Sequence, residues 1–290
     1  MGSLDEGWPE PVVCVQSLSD SGELSIPDRY IKPQPERPSL SVLNDMDIPI
    51  IDFNGLVTSP EATMKQISKA CREWGFFQLV NHGVRTDLVD GVRETWREFF
   101  HEPMEVKQKY ANSPKTYEGF GSRLGTEKGA ILDWSDYYYL HYRPPCNTKW
   151  PDQPPSLSLL RAISTQTCPL TRLELGVDLS FLVSSGAKWP SYPVSKSVDS
   201  NVRKMNHMVL SNAIYKSVEH RVVVNPNKER VSLAYFYNPK SDMLIQPISE
   251  LVTSKKPALY LPMTFEEYRR FIRTKGPQGK FQVESLKSPR

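Results

Sequence analysis

The chain has 290 residues, which is enough for one large domain or two small ones. Apolar residues make up 39% of the sequence and charged residues 24%, a globular composition that excludes an intrinsically disordered chain. The net charge of +3 comes from basic residues scattered along the sequence, so we expect neither a nucleic-acid nor a membrane partner.

The cysteines and the hydropathy pattern indicate the compartment. The four cysteines form no closely spaced pair, and the first residues contain no apolar secretory segment. No apolar run reaches the length that spans a bilayer. We therefore expect a reducing compartment, the cytoplasm, with the nucleus as an alternative.

Four segments at the start of the chain have clear patterns. Residues 1–47 are polar and rich in proline, which predicts an extended arm on the surface. The apolar run 48–53 predicts a first strand, and the helical spacing over 60–74 predicts an amphipathic helix. Residues 76–80 predict a second strand, which ends at the turn containing His82.

A second helix follows, with Thr86 as its candidate N-cap and Pro103 after its end. Glycines at 119, 121 and 125 predict a loop, and residues 131–142 predict a strand. The apolar residues that define the helical face recur at intervals of three or four: Leu88, Val92, Trp96, Phe99 and Phe100.

The composition and the hydrophobic pattern of the sequence change after residue 155. Residues 156–206 are rich in serine, have no hydrophobic period and contain few acidic residues, so we expect an irregular segment. Farther on, 218–224 and 231–237 alternate with a period of two around the turn residues Asn225 to Lys228, which predicts a β-hairpin.

Two polar features of this hairpin indicate a binding site. Arg230 and Ser232 are two residues apart, so their side chains leave the same face of a strand. A guanidinium beside a hydroxyl can hold a carboxylate, because arginine binds two oxygens and serine adds a donor. His220 lies in the middle of the other strand, where an imidazole requires a partner, either a metal or an ordinary hydrogen bond.

His220-Arg221-Val222 and Arg230-Val231-Ser232, ten residues later, resemble the C-terminal half of the plant iron(II)/2-oxoglutarate-dependent dioxygenases. The resemblance implies that His220 is the distal iron ligand and that Arg230 and Ser232 bind the distal carboxylate of 2-oxoglutarate. It also implies a mainly β fold with flanking helices, a distorted jelly-roll barrel (double-stranded β-helix). The cofactors that it implies are Fe(II), 2-oxoglutarate and O2, with ascorbate.

The N-terminal part resembles the same family over residues 45–150, in Ile-Pro-Ile-Ile-Asp-Phe and in Trp-Gly-Phe-Phe-Gln-Leu-Val-Asn-His-Gly-Val. The resemblance implies that His82 is a structural turn residue. The domains expected are therefore an arm over 1–47, the dioxygenase N-terminal domain over 48–155, the irregular segment 156–206, and the C-terminal part of the barrel with a tail helix over 207–290.

The iron site of this family has two histidines and one carboxylate, and the first two ligands occur as His-x-Asp. None of the five histidines is followed by this pattern, and the family's Asn-Tyr-Tyr-Pro stretch is also absent. His207 is a conceivable substitute, although no carboxylate stands at a helpful spacing. We expect an incomplete barrel and an impaired or inactive catalyst.

Short motifs in two parts of the chain look similar to the jasmonate-hydroxylating branch of the family: one near the C-terminus, and Leu124-Gly125-Thr126-Glu127-Lys128. This resemblance implies a small carboxylic acid, jasmonic acid, as substrate. The tail helix places Phe265 and Arg269 four residues apart, which predicts an aromatic wall beside a cation for that acid. The alternative for these two residues is a core phenylalanine and a solvated arginine. For the whole chain, the alternatives are a flavonoid-oxidising relative and a non-catalytic remnant or binding protein.

Overall fold

The structure is a computed structural model. It describes residues 8–22, 25–33, 47–123, 125–142, 150–157, 177–186, 195–196, 207–216, 222–223, 225, 228–275 and 286–287.

The helices are α1 (Val15–Asp20), α2 (Gly55–Thr58), α3 (Pro60–Glu73), α4 (Thr86–His101), α5 (Met104–Gln108) and α6 (Phe265–Lys275). The strands are β1 (Ile50–Asp52), β2 (Gln78–Val80), β3 (Gly119–Gly121), β4 (Asp136–Tyr142), β5 (Val177–Gly186), β6 (Ser195–Lys196), β7 (Val222–Val223), β8 (Arg230–Pro239), β9 (Leu244–Ile245) and β10 (Met263–Thr264). The strand and helix bounds confirm the predicted β1, α3, β2 and α6 to within a few residues.

A four-stranded antiparallel sheet with the order β3-β4-β5-β8 is the centre of the described fold. Helix α4 packs against one face of this sheet. Trp96, Phe99 and Phe100 of α4 form a closed aromatic cluster with Tyr138 of β4 and Phe120 of β3. Because side chains alternate along a strand, this packing assigns every second residue to the core and leaves the others on the opposite face.

The register shows the same division on β8. Val231 and Leu233 pack against the α4 cluster, whereas Ser232 lies opposite Ser184 of β5, which in turn lies opposite Tyr137 of β4. Directly opposite residues share a face of the sheet. The face that points away from α4 therefore carries Arg230 and Ser232 together with the odd-numbered residues of β4. We call this surface the open face.

The predicted hairpin is wrong for the residues that the structure describes. β8 pairs with β5 along its whole length, from Val177 opposite Pro239 to Gly186 opposite Arg230, whereas Val222 and Val223 pair with β6. The period of two identified β8 correctly, but a sequence pattern does not specify which strand supplies the partner. The same finding corrects the expectation for 156–206, because β5 is a ten-residue strand inside that segment.

The extended-arm prediction is also wrong in part. Residues of the arm form α1 and bury Val15 completely and Tyr30 to 1% exposure. Tyr30 packs edge-on against Trp134, with 5.0 Å between the ring centroids. Glu10 fastens the start of the arm, because its Oε1 accepts hydrogen bonds from Arg29 and Arg123. The bond from Arg123 is the main reason that the pKa of Glu10 falls to about 2.

Two local predictions differ from the structure for backbone reasons. The N-cap of α4 is Arg85, whose backbone is extended, so Thr86 is the first helical residue and not the cap. The glycines at 119 and 121 belong to β3 and not to a loop. Gly119 has φ +112°, and a Cβ there would lie 2.2 Å from the carbonyl oxygen of Tyr110, so only glycine fits.

The C-terminal part has its own buried cluster beneath α6. Phe265 and Tyr268 of the helix pack with Val209, Ile245 and Tyr260. β9 and β10 form a two-stranded antiparallel pair at its edge. Among the described residues the strands form one four-stranded and three two-stranded sheets rather than a closed barrel.

A search of the described residues finds no helix with the length and apolar character that crossing a bilayer requires.

The buried carboxylate of Asp136 connects the arm to the sheet. Its two oxygens accept hydrogen bonds from the backbone N–H groups of Val15, at 2.9 Å, and Gln16, at 3.1 Å. The hydroxyl of Ser122 donates a third bond at 2.6 Å. Asp136 is only 2% exposed, so these protein donors take the place of the hydration that its carboxylate loses on burial. The carboxylate thus satisfies the first N–H groups of α1, which no residue within the helix can do.

We predict that Asp136→Ala lowers the free energy of unfolding by about 3 kcal/mol, because it leaves buried donors without an acceptor. Asp136→Asn keeps one acceptor oxygen and is expected to cost less. Urea unfolding measures both. The control is Asp90→Ala, which removes an exposed pair with Arg93 and is expected to cost less than about 1 kcal/mol. Equal losses in Asp136→Ala and Asp90→Ala would contradict this account.

Candidate functional site

Arg230 and Ser232 stand at the first and third positions of β8, so their side chains leave the same face of a formed strand. Arg230 is exposed, and no carboxylate in the described part of the chain pairs with it. Ser232 is half-buried. The two side chains therefore leave the same face of one strand, as the sequence predicted. Their role in binding a carboxylate stays a prediction.

The neighbouring residue Glu229 fixes the start of β8 to α4. One of its oxygens accepts a hydrogen bond from Nε of Arg97 at 2.9 Å, and the other lies 2.9 Å from Nε2 of His101. The same imidazole reaches the side chain of Gln16 in α1, at 3.4 Å. Sequence reasoning missed this cluster, since His101 and Glu229 lie 128 residues apart and no short motif connects them.

On β4, the open face begins with a buried tyrosine. The hydroxyl of Tyr137 donates to the carbonyl oxygen of Arg123 and accepts a bond from the side-chain amide of Asn112 at 2.6 Å. Burial raises the pKa of Tyr137, so its hydroxyl stays protonated and serves as a fixed donor.

The open face becomes more accessible along β4. Tyr139 and His141 follow at alternate positions, with 4.8 Å between their ring centroids and an angle of 80° between the planes. The β5 residues that lie opposite Tyr139 and His141 lie in turn opposite Ala234 and Phe236 of β8, so all these positions share the open face. The open face is thus an aromatic and polar surface that ends in Arg230.

His220, the predicted iron ligand, lies outside the described residues. Within the described ranges no three histidine, cysteine or acidic side chains come together in a group that could hold a metal ion. His207 is exposed, at the start of the helical turn 207–210. His82 acts within its own turn, where its Nδ1 accepts a hydrogen bond from the backbone N–H of Val84 at 3.2 Å.

The two predicted substrate residues occupy different environments. Phe265 is 1% exposed and belongs to the cluster beneath α6. The guanidinium of Arg269 lies 5.8 Å from the centroid of the Phe265 ring, pairs with Glu266 and donates to the hydroxyl of Ser241 at 3.0 Å. The side chain of Arg269 is 18% exposed. Both residues thus have partners inside the protein, and their contact with a substrate stays a prediction.

One turn farther along α6, Arg273 connects the helix to the loop before β3. Its guanidinium lies 5.4 Å from the centroid of the Tyr117 ring, and its carbonyl oxygen accepts a bond from the Tyr117 hydroxyl at 2.8 Å. Tyr117 has φ +59°, an unfavourable conformation for a residue with a side chain. The contacts with Trp8 and Arg273 hold it there. No sequence pattern predicted this contact.

Two family patterns match the chain. The pattern described as the non-haem dioxygenase in morphine synthesis N-terminal domain matches residues 48–158. The pattern of the 2OG-Fe(II) oxygenase superfamily matches residues 138–239, a range that begins in β4 and ends with β8.

Individual relatives agree with these patterns. Jasmonate-induced oxygenase 2 of Arabidopsis thaliana is 46% identical in an alignment that covers all of this chain and 96% of the relative. Jasmonate-induced oxygenase 1 of the same plant is 44% identical, with 99% of this chain and 89% of the relative covered.

Solved structures show the same relationship. The crystal structure of JOX2 in complex with 2OG, Fe and JA superposes with a TM-score of 0.77 at 43% identity, covering 98% of this chain and 100% of that one. The rice dioxygenase for auxin oxidation, at 17% identity and a TM-score of 0.60, shares the fold.

The alignments also show a difference in length between this chain and its relatives. The alignment with Jasmonate-induced oxygenase 2 extends over 360 residues, although the present chain has only 290. The relative therefore contains several dozen positions that have no counterpart here. The high identity and nearly complete coverage nevertheless confirm the family that the motifs indicated. The chain belongs to the 2OG-Fe(II) oxygenase family, whose cofactors are Fe(II) and 2-oxoglutarate.

Proposed function

We propose that this chain is a catalytically impaired member of the family whose ligand is a small carboxylic acid, jasmonic acid. The observation that carries the proposal is the absence of His-x-Asp from all 290 residues of a chain that is otherwise 46% identical to a jasmonate-induced oxygenase. Support for the ligand comes from the structure of JOX2, which is described as a complex with JA.

The residues present do not fit an iron centre of the expected kind. Only His220 corresponds to a ligand in the motifs, and the described residues offer no group of three ligands. A single histidine binds Fe(II) weakly, because affinity for such metals depends on several ligands held together. We therefore attribute no reaction step to iron in this chain.

The site for 2-oxoglutarate is better supported. Arg230 presents an exposed guanidinium, and Ser232 stands beside it on the same face of β8. The pair offers the two parallel donors and the additional hydroxyl that a carboxylate accepts. Glu229 points its carboxylate at α4, so it anchors the strand without neutralising Arg230.

In a complete enzyme of the family, Fe(II), 2-oxoglutarate and O2, with ascorbate, supply the oxidising chemistry for hydroxylation. This chain contributes the open face and the C-terminal cluster, the parts of an incomplete jelly-roll barrel. The segment 156–206, although it contributes β5, replaces the part that carries two of the three ligands in the family. The result is a protein that retains binding surfaces but lacks the means to activate O2.

We predict that Arg230→Ala lowers the affinity for 2-oxoglutarate about tenfold or more, because the bidentate contact is lost. Arg230→Lys is not expected to restore it, since an ammonium is a point charge without the guanidinium fork. Isothermal titration measures the affinity. Lys228→Ala, which removes an exposed positive charge in the preceding turn, is the control and is expected to bind as the unchanged chain does. Equal affinity in all four proteins would show that Arg230 is not the carboxylate contact.

The substrate is tested by repairing the chain. Replacing residues 156–206 with the corresponding His-x-Asp segment of Jasmonate-induced oxygenase 2 is expected to give an enzyme that hydroxylates jasmonic acid. His220→Ala in the repaired chain is the matched control and is expected to abolish product formation, which mass spectrometry measures. A repaired enzyme that ignores jasmonic acid but oxidises a neutral flavonoid would contradict the proposed substrate and favour the flavonoid branch.

A further inference from the structure

The side chain of Gln16, in helix α1 of the arm, contacts two other helices at once. Its Oε1 accepts a hydrogen bond from Nζ of Lys107 in α5 at 3.4 Å, and its Nε2 lies 3.4 Å from Nδ1 of His101, the last residue of α4. Lys107 is only 3% exposed, and its ammonium also donates to the carbonyl oxygen of Phe100 at 2.7 Å. Because an ammonium can only donate, it holds the Gln16 amide with the oxygen toward Lys107 and the NH2 group toward His101.

The same direction of donation continues through the ring of His101. Because the Gln16 NH2 group donates, Nδ1 of His101 presents its lone pair, and the proton of the neutral imidazole lies on Nε2. That nitrogen lies 2.9 Å from Oε2 of Glu229, a carboxylate that only accepts. Both ends therefore require the same tautomer of His101, and every donor meets an acceptor without a charge on the ring.

Glu229 ends this series of contacts at the residue that directly precedes Arg230. Nε of Arg97 donates to the other carboxylate oxygen of Glu229 at 2.9 Å, so side chains of α4 hold both oxygens. Successive side chains along an extended backbone point to opposite sides. A carboxylate tied to α4 on one side of the sheet therefore leaves the next side chain, Arg230, on the open face.

The start of β8 is the part of the strand that the sheet itself holds least. Arg230 pairs with Gly186, the last residue of β5, so the pairing of the two strands ends there, and Gly186 has no side chain to pack against it. Val231 is the first residue of β8 that packs against the α4 cluster. The ends of strands open at little cost in free energy. An anchor at Glu229 therefore acts where it most affects whether Arg230 stands beside Ser232.

We infer that Gln16, His101 and Glu229 form one positioning chain, through which the N-terminal arm holds Arg230 in place for the carboxylate of 2-oxoglutarate. No member of this positioning chain contacts the ligand, and each acts through Arg230. The apparent affinity of a site falls with the fraction of molecules in which the site is formed. A break at any link therefore weakens 2-oxoglutarate binding without removing a ligand contact. The inference rests on the proposed role of Arg230.

Isothermal titration of the full chain with 2-oxoglutarate tests the link next to β8. Glu229→Gln keeps the size of the side chain and the acceptor for Arg97, but it places an NH2 group against the Nε2–H of His101. We expect the affinity to fall about threefold to tenfold, the equivalent of one hydrogen bond. The control is Tyr30→Phe, which removes a bond within the arm to the carbonyl oxygen of Val13. It is expected to lower stability and leave the affinity unchanged.

A double-mutant cycle tests the link to the arm. Gln16→Met removes both side-chain contacts of Gln16 but keeps its length and the backbone bond to Asp136. It is expected to lower the affinity about twofold to fivefold in the otherwise unchanged chain, and to have no further effect in Glu229→Gln. An unchanged affinity in Gln16→Met, or losses that add in the double variant, would overturn the inference.

Two substitutions of His101 separate its two contacts. The amide of His101→Gln can still donate to Glu229, whereas the shorter amide of His101→Asn can only accept from Gln16. We expect His101→Gln to retain more affinity for 2-oxoglutarate than His101→Asn, because Glu229 is the link that holds Arg230. The reverse order would contradict the positioning chain.

The direction of donation also has a spectroscopic signature that folding alone does not determine. Nitrogen NMR of the isotope-labelled chain shows which ring nitrogen of each neutral histidine carries the proton, and the loss of a signal in His101→Gln assigns it to His101. We expect the tautomer protonated at Nε2 in the unchanged chain and a mixture of both tautomers in Gln16→Met. A proton on Nδ1 in the unchanged chain would overturn the inference.

Arg230→Ala separates this inference from the function on which it rests. If Arg230→Ala loses affinity for 2-oxoglutarate but Glu229→Gln does not, the carboxylate site is correct and the positioning chain is wrong. If Arg230→Ala binds as the unchanged chain does, the proposed carboxylate site is wrong and the inference fails with it.

Discussion

The packing of α4 against one face of the four-stranded sheet is the constraint on which the rest of the structure depends. Trp96, Phe99 and Phe100 pack against Tyr138 and Leu140 of β4 and Val231 and Leu233 of β8, so the alternate residues of these strands point to the other side. Arg230 and Ser232 come to lie on the same surface as Tyr139 for this reason alone. The contacts of Glu229 with Arg97 and His101 fix the same arrangement from the start of β8.

Much of this arrangement could be predicted from local sequence patterns. Helical spacing identified α3, α4 and α6, and the period of two identified β8, because each pattern reflects burial of one side of an element. The partner of β8 could not be predicted, since the alternation fits any neighbour and β5 lies in a segment without a clear period. The burial of the arm was missed because Asp136, which caps α1, is 121 residues away from Val15.

The candidate site divides in a similar way. The position of Arg230 and Ser232 on one face of β8 was predicted from their spacing along the strand. The family was predicted from short motifs. The contacts of Arg269 in the tail helix could not be predicted in this way. The spacing of Phe265 and Arg269 does not indicate that Glu266 and Ser241 bind the guanidinium. Arg273 was overlooked since its contacts come from the loop at Lys115 and Thr116, far away in the sequence.

The proposed function is that this chain binds its ligands without catalysing, because His-x-Asp is absent from its sequence. Titration of the purified chain with Fe(II) under anaerobic conditions, in the presence of 2-oxoglutarate, tests this claim most directly. The account predicts no stoichiometric iron site, while a relative with His-x-Asp, measured in parallel, binds one equivalent. One tight site in this chain that His220→Ala abolishes would contradict the account and require ligands other than His-x-Asp.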